Sequence, residues 1–417
     1  MRLSFLDDAT VTPAQVKTET KKLTKYREAI ATIETTADDT KPEYSLSYAN
    51  NAELQETLSV LKKSFKGVKH VVLIGIGGSS LGVEAVHSVL DTGKVTLSVL
   101  DTISAHELIA LEHKLAHHKK LSDIVVCVVS KSGGTTETLV NAGVLLGKLE
   151  KRFGAKVYEQ VIFIGDVDSP LKKEAKKLDA TYVAMPASIG GRYSVTTAVG
   201  LVPLTLLGHD VDAFIEGIND ASTNEYEFIT AESAARIALY LKKNFTHYNF
   251  FAFEKRLAAL GAWYRQLFAE SIGKNVDRTG KPFKKGFVPT ITTPVELHSI
   301  GQLYFSEFPG VCTDFVTFDD EFAEAAIPKK GIAKQFSKFS AEEVATAIYG
   351  GVAAVYTEKA LPHRATIFDE ELPYSLGLFM AMRMRETMYV AELMNVDAFN
   401  QPNVELYKQK TKAILGL

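Results

Sequence analysis

The stretch Val71-Val72-Leu73-Ile74-Gly75-Ile76-Gly77-Gly78-Ser79-Ser80-Leu81-Gly82 joins an apolar, β-branched run to a cluster of glycines and serines. A helical pattern over residues 81–90 follows it directly. A strand, a glycine turn and a helix in this order direct free backbone N–H groups towards an anion, and serine hydroxyls add further donors. The stretch therefore predicts an anion-binding strand–turn–helix unit.

The nature of that anion stays open at this point. A second apolar run, residues 95–100, ends at Asp101, where a ribose-binding acid of a dinucleotide fold would fall. Against a dinucleotide, Ser80 replaces the third glycine of the G-x-G-x-x-G pattern. The hydroxyls suit a terminal phosphate with three oxygens, so a small phosphoester is favoured over a dinucleotide or a purely structural glycine turn.

Composition excludes several classes of protein. The chain has 417 residues with 46% hydrophobic and 23% charged residues, which is typical of a globular protein with two domains. A net charge of −3 gives no reason to expect nucleic acid or an anionic membrane as a partner. Cys127 and Cys312 lie in apolar runs and are expected to be buried free thiols.

The sequence also bears on location. Acidic residues follow Met1 too early for a signal peptide, at Asp7 and Asp8. The longest apolar stretch, residues 199–207, is too short to cross a bilayer. We therefore expect a cytoplasmic protein.

Four parts of the chain differ in pattern. We predict an N-terminal helical segment over residues 1–66, two α/β domains over 67–225 and 226–395, and a C-terminal helix within 396–417. Continuous apolar strands between helices indicate parallel sheets covered on both faces. The predicted strands are Val68–Ile74, Val95–Leu100, Ile124–Val129, Val161–Ile164 and Ala180–Ala184, then Tyr248–Phe253, Val288–Thr292, Phe315–Phe318 and Thr366–Phe368.

A second glycine turn follows the third predicted strand, in the stretch Ser130-Lys131-Ser132-Gly133-Gly134-Thr135-Thr136-Glu137-Thr138. Loops that leave the carboxyl ends of parallel strands share one crevice, so this loop and the first one are expected to meet. A helix cap would explain one of its five hydroxyls but not the other four. Together the two loops predict phosphate binding by neutral donors and Lys131.

Arg192 and Glu270 are candidates for catalytic residues. Arg192 precedes an apolar helix, where a cation is unfavourable unless an anion or a carbonyl offsets it. It is either a surface arginine in a salt bridge or a cation directed into a site where negative charge develops. Glu270 falls in the last turn of a helix over residues 257–273, at the edge of its apolar face. It is either a boundary residue or a general base.

A histidine and a lysine complete the set. Thr293-Pro294-Val295-Glu296 has the pattern of a capping box and predicts a helix over 294–308 with His298 in its first turns. Lys408 lies within the apolar stripe of the last helix, between Val404 and Thr411. A lysine on a buried face needs a partner or a role, and the alternative is that it reaches out to solvent. The histidine could equally be structural.

Taken in order, six motifs resemble those of the glucose-6-phosphate isomerase family. They are Gly-Ile-Gly-Gly-Ser, Ser-Lys-Ser-Gly-x-Thr-Thr-Glu, Gly-Gly-Arg-Tyr-Ser, Glu-Ser-x-Gly-Lys, Leu-His-Ser-x-Gly-Gln and Phe-Asn-Gln-x-x-Val-Glu-x-x-Lys, and they span residues 75–408. The resemblance implies an α/β fold of two sugar-isomerase (SIS) domains, each a mainly parallel sheet flanked by helices. It also implies interconversion of glucose 6-phosphate and fructose 6-phosphate.

The resemblance further implies a role for each matching residue. Glu270 would move a proton between C2 and C1, and Arg192 would stabilise the cis-enediol(ate). His298 and Lys408 would assist opening of the pyranose ring, and Gln401 would lie near the sugar. The residues implied in binding the substrate phosphate are Gly78, Ser79, Ser130, Lys131, Ser132 and Thr135.

The resemblance also implies partners, and two alternative functions remain. It implies a homodimer in which His298 comes from the partner chain, a sugar phosphate as substrate, and no cofactor or metal. Alternatives are an isomerase that also accepts mannose 6-phosphate and a non-catalytic SIS-domain sensor of sugar phosphates. The sequence departs from the family pattern at Asn403, at Gly134 and in a basic, hairpin-like stretch over residues 277–285.

Overall fold

Two five-stranded sheets form the framework of the chain in the computed structural model. The structure describes residues 1–5, 10–306, 308–319, 325–369 and 371–416. Within these ranges no helix is both long enough and apolar enough to cross a bilayer.

The described residues of the N-terminal part of the chain form one strand and three α-helices. They are β1 (Arg2–Phe5), α1 (Pro13–Lys22), α2 (Thr24–Thr36) and α3 (Ala52–Ser64). Strand β1 pairs antiparallel with residues 363–368 at the edge of the second sheet, which the sequence analysis did not predict. Four residues are too few to show a strand periodicity, and the partner lies far away in the sequence.

The first sheet is wholly parallel, with the strand order β3-β2-β4-β5-β6. Its strands are β2 (His70–Ile74), β3 (Thr96–Leu100), β4 (Ile124–Val129), β5 (Val161–Asp166) and β6 (Thr181–Met185). The helices of this part are α4 (Leu81–Leu90), α5 (Ala105–Ala116), α6 (Thr136–Phe153), α7 (Pro170–Lys177), α8 (Ala198–Leu206), α9 (Val211–Asp220) and α10 (Asn224–Lys242). Alternate residues of β2 and β4 contribute to two separate hydrophobic cores, one on each face of the sheet.

The second sheet is parallel except for β1 and has the order β1-β10-β9-β7-β8. Its other strands are β7 (His247–Ala252), β8 (Val288–Thr292), β9 (Val311–Phe318) and β10 (His363–Phe368). The remaining helices are α11 (Ala258–Ile272), α12 (Gly301–Phe305), α13 (Ala341–Glu358), α14 (Leu372–Leu393) and α15 (Glu405–Leu415). The predicted fold class, two mainly parallel sheets flanked by helices, is confirmed.

Several local predictions can be compared with the structure. Cys127 and Cys312 are buried free thiols, as predicted. The capping box of Thr293 and Glu296 is present. The predicted helix over 294–308, of which residue 307 lies outside the described residues, is wrong. The chain forms a 3₁₀ turn over Pro294–His298, leaves helical geometry at the next residue, and resumes only in the short α12.

The predicted buried stripe of the last helix is also wrong for the single chain. Helix α15 has no buried residue, and Tyr407 and Ile414 are 57% and 85% exposed. The pattern of the sequence is amphipathic, but no other part of the described chain covers the apolar face.

Four buried charges connect the second sheet to α14. Asp314 of β9 and Arg364 of β10 face Arg383 and Glu386 of α14, and the Arg364–Asp314 and Arg383–Asp314 contacts measure 2.9 and 2.7 Å. Arg364 and Arg383 also both donate to the Glu386 carboxylate. Burial alone would raise the pKa of Glu386, but the two guanidinium groups lower it to about 2. The charges balance only while all four side chains are present.

We predict that Glu386→Gln lowers the free energy of unfolding by about 3–5 kcal/mol, because it leaves two buried guanidinium groups with one carboxylate. Urea denaturation at neutral pH measures the change. Glu174→Gln is the control, since its pair with Lys177 is exposed and should contribute at most about 1 kcal/mol. Equal effects of the two substitutions would show that the buried charges do not depend on one another.

Candidate active site

The two glycine loops lie next to each other at one edge of the first sheet. Strands β2 and β4 are paired and parallel, with Ile74 opposite Val128, so the loops that follow them emerge on the same side. At Gly75 an added Cβ would lie 3.2 Å from the carbonyl oxygen of Val129, at the end of β4. Ser79 ends a 3₁₀ turn in the first loop and is partly exposed.

Hydroxyl groups of the second loop turn towards one another rather than capping the helix. The Ser130 and Thr135 hydroxyls are 2.9 Å apart, and Ser132 Oγ accepts the Gly134 N–H at 3.3 Å. Thr135 occupies the N-cap position of α6, but its side chain makes no capping hydrogen bond. A helix cap therefore does not account for this hydroxyl.

Lys131 places a partly buried positive charge in the same loop. Burial lowers the pKa of its amine, the Asp166 carboxylate opposes that shift, and the positive charge of Arg192 adds to it. Lys131 and Arg192 therefore lie close enough to repel each other. An anion between the loops and the Arg192 turn would relieve this repulsion.

Arg192 is at the centre of the site and is only 3% exposed. It lies in a 3₁₀ turn over residues 191–196, between β6 and α8. Its guanidinium donates five hydrogen bonds, to Ser271 Oγ (2.9 Å), Glu270 Oε2 (3.1 Å), Gln401 Oε1 (2.8 Å), Ala398 O (2.6 Å) and Asn400 O (3.1 Å). A cation before an apolar helix was predicted to need an anion or a carbonyl group to offset its charge. The Glu270 carboxylate and the two backbone carbonyls are those groups.

Glu270 lies in the last turn of α11 with both carboxylate oxygens engaged. Oε2 accepts from Arg192, and Oε1 accepts from the Gln266 side-chain amide at 3.1 Å. The side chain of Glu270 remains 32% exposed, so a substrate can reach it. Gln266 is not among the residues predicted from the sequence, although its position four residues before Glu270 puts the two on one face of a helix.

The first loop needs glycine because it touches both of these elements. A Cβ at Gly78 would lie 2.2 Å from the carbonyl carbon and oxygen of Gly191, and a Cβ at Gly77 would lie 2.7 Å from Gln266 Nε2. The Ser194 hydroxyl lies within hydrogen-bonding distance of the carbonyl oxygens of Gly78 and Gly191. The first loop, the Arg192 turn and α11 therefore pack as one unit.

Two of the three departures from the family pattern, Asn403 and the stretch 277–285, make contacts within the chain. Asn403 accepts a hydrogen bond from the Asn275 side chain at 2.8 Å. The basic stretch 277–285 belongs to a hairpin-like turn in which Val276 pairs with Pro282. Arg278 of this turn forms an ion pair with Glu392 at the end of α14.

His298 and Lys408 are not part of this hydrogen-bonded group in the described chain. His298 is exposed at the end of the 3₁₀ turn that precedes α12. The Lys408 side chain is 44% exposed and pairs with Glu405 of its own helix at 2.8 Å. The single chain thus brings together Arg192, Glu270 and Gln401, with the two loops beside them, and leaves the other two predicted residues on its surface.

Two mainly parallel sheets flanked by helices define an α/β protein. Beside its hydroxyl-rich loops, a carboxylate is held by a buried guanidinium. A family model described as phosphoglucose isomerase matches residues 37–296. A glucose-6-phosphate isomerase of Thermus thermophilus is 30% identical over 387 residues, which cover 90% of this chain and 92% of that protein. The chain belongs to the phosphoglucose isomerase family.

Further comparisons agree in sequence and in fold. Glucose-6-phosphate isomerase of Methanocaldococcus jannaschii is 29% identical over 362 residues, 83% of this chain and 84% of that protein. A hypothetical protein of Thermus thermophilus superposes with a TM-score of 0.86 at 26% identity, covering 99% of both chains. A glucose-6-phosphate isomerase of Chlamydia trachomatis shares the fold with a TM-score of 0.79 at 18% identity, covering 98% of this chain and 88% of that one.

We predict that Gly78→Ala lowers the free energy of unfolding by about 1–3 kcal/mol, because its Cβ would collide with backbone atoms that cannot rotate away. Chemical denaturation measures this change. Gly190→Ala is the matched control, since it lies in the same contact region at φ −73° with no atom within 4 Å of the added Cβ. If both variants were as stable as the wild type, the contact between the first loop and the Arg192 turn would not be close-packed.

Proposed function

We propose that this chain interconverts glucose 6-phosphate and fructose 6-phosphate. The observation that carries the proposal is the contact of the partly exposed Glu270 carboxylate with the buried Arg192 guanidinium, beside two hydroxyl-rich loops. The two relatives reported above, which match 90% and 83% of this chain, are both named glucose-6-phosphate isomerase, and this supports the same substrate pair.

The proposed reaction requires a base and a cation at one place. Converting an aldose into a ketose removes the proton at C2 and delivers one to C1, and Glu270 is the proposed carrier of that proton. The intermediate bears negative charge on its oxygens, which Arg192 is proposed to stabilise. Because protein dipoles already orient Arg192 before substrate binds, little reorganisation is needed as that charge develops.

The phosphate is proposed to bind between the two loops. Loop hydroxyls offer neutral donors, and Lys131 adds one charge that the phosphate would compensate. The binding energy of a group remote from the reacting carbons fixes the position of those carbons relative to Glu270. The proposed phosphate ligands are Gly78, Ser79, Ser130, Lys131, Ser132 and Thr135, and Gln401 is proposed to lie against the sugar.

We predict that Glu270→Gln lowers kcat for glucose 6-phosphate by about 10²–10⁴, because an amide cannot accept the C2 proton. The KM should change only a few-fold, since the phosphate loops are untouched. A coupled assay measures both constants. Glu358→Gln, at the end of α13, is the control and should leave both constants unchanged. Near-normal turnover by Glu270→Gln would remove Glu270 from the role of base. A wild-type protein that binds the sugar phosphate without turnover would instead be a sensor.

A homodimer is the second part of the proposal, with His298 and Lys408 assisting ring opening. Apolar side chains flank His298, and Val295 and Leu303 are 73% and 40% exposed. Apolar side chains are exposed on α15 as well, so both segments that carry the proposed ring-opening residues have surfaces suited to burial against another chain. We propose that a second copy covers them and that His298 acts in the partner's site.

We predict that two inactive variants restore activity when their chains are mixed. In a dimer of Glu270→Gln with His298→Ala, one site carries both substitutions and the other carries neither. Random pairing should then recover about a quarter of the wild-type rate. Coexpression followed by a coupled assay measures the recovery, and His113→Ala, an exposed histidine on α5, should retain full activity. A mixture no more active than the separate variants would show that His298 does not act across a dimer.

A further inference from the structure

Lys274 is a buried lysine that the proposed mechanism leaves unused. It lies two residues after α11 and is only 9% exposed. Its Nζ donates to the carbonyl oxygen of Glu270 at 2.7 Å and to the carbonyl oxygen of Asn400. The same Asn400 oxygen accepts from Arg192. One ammonium group therefore links the helix end that carries the proposed base to the segment that precedes α15.

The geometry suits a charged amine. The last carbonyls of a helix have no intrahelical partner, and a cation is favoured at this end of the helix dipole. The segment 398–401 also supplies Gln401, which contacts Arg192 at 2.8 Å. If the segment moved, Arg192 would lose three of its five acceptors, namely the two carbonyl oxygens and Gln401 Oε1.

Charged groups from three parts of the chain influence the pKa of Lys274: Arg192 in its turn, Glu270 in α11 and Asp397 before α15. Burial lowers the pKa of its amine to about 8, and the nearby Arg192 charge contributes to that shift. Asp397 and Glu270 oppose it. The amine is thus mostly charged at neutral pH and becomes neutral in the mildly alkaline range, where ordinary lysines keep their charge.

We propose that Lys274 is a positioning residue whose charged form holds segment 398–401 against the end of α11, and that loss of its proton loosens this contact and slows isomerisation at alkaline pH. The inference rests on the proposed function and concerns the regulation of that site. The neutral amine retains hydrogen-bonding capacity but no longer makes charge-assisted bonds to two carbonyl oxygens, which are the stronger kind. The charge-assisted hydrogen bonds that still hold segment 398–401 then come from Arg192.

The first test is the pH profile of kcat between pH 6 and 10. The wild type should lose activity with a midpoint near pH 8. Lys274→Arg, which stays charged throughout this range, should move that midpoint upwards by more than one pH unit. Lys274→Met should be slower by about 10-fold to 100-fold at pH 7, with little change in KM and no break near pH 8. Lys62→Met, an exposed lysine on α3, is the matched control and should follow the wild type.

The second test measures the segment itself by hydrogen exchange of residues 398–401. Protection, corrected for the intrinsic pH dependence of exchange, should fall above pH 8 in the wild type and already be low at pH 7 in Lys274→Met. An unchanged midpoint of kcat in Lys274→Arg, or unchanged protection in Lys274→Met, would overturn the inference. A wild type that never isomerises glucose 6-phosphate would overturn the proposed function instead, and the exchange measurement would still decide whether Lys274 holds the segment.

Discussion

The buried guanidinium of Arg192 is the interaction on which the rest of the site depends. A buried charge is costly unless its hydrogen-bonding groups find partners. This one donates to α11 and to segment 398–401 from the turn between β6 and α8. Each partner that satisfies the charge is thereby fixed relative to the others. The orientation of Glu270 and the position of the segment before α15 therefore share one physical cause, and the packing of the Arg192 turn against α11 cannot be separated from the geometry of the site.

Close contacts with the Arg192 turn also fix the position of the first glycine loop. The first loop packs so tightly on the Arg192 turn that no side chain fits at Gly78, and the first turn of α4 meets the same element, since a Cβ at Gly82 would lie 2.8 Å from Val195 Cγ2. A displacement of the loop by the width of a methyl group would displace the turn as well. The first of the loops proposed to bind phosphate is thus close-packed against the turn that carries the cation proposed to stabilise the intermediate, and a fixed geometry is what orientation of a small substrate requires.

Much of this arrangement could be predicted from the sequence because it is encoded locally. Continuous apolar runs identified nine strands, and a cation before an apolar helix correctly indicated that Arg192 needs acceptors. Features that depend on distant partners could not be predicted. Strand β1 is defined by pairing with β10 rather than by its own four residues, and Lys274 acquires its position only when the end of α11 meets residue 400. The amphipathic pattern of α15 predicted a buried stripe, and this was wrong for the single chain, because no part of the described ranges covers that face.

The proposed reaction has two parts, carried by residues in different surroundings: Glu270 with Arg192, and His298 with Lys408. Glu270 and Arg192 satisfy each other within one chain, so the machinery proposed for proton transfer is complete before any association. His298 and Lys408, proposed for ring opening, lie on exposed segments with apolar neighbours. Opening of the pyranose ring and transfer of the proton are successive chemical steps, and only the first would require the second copy. Association of the chains would then control the supply of open-chain sugar to a base and a cation that are already in place.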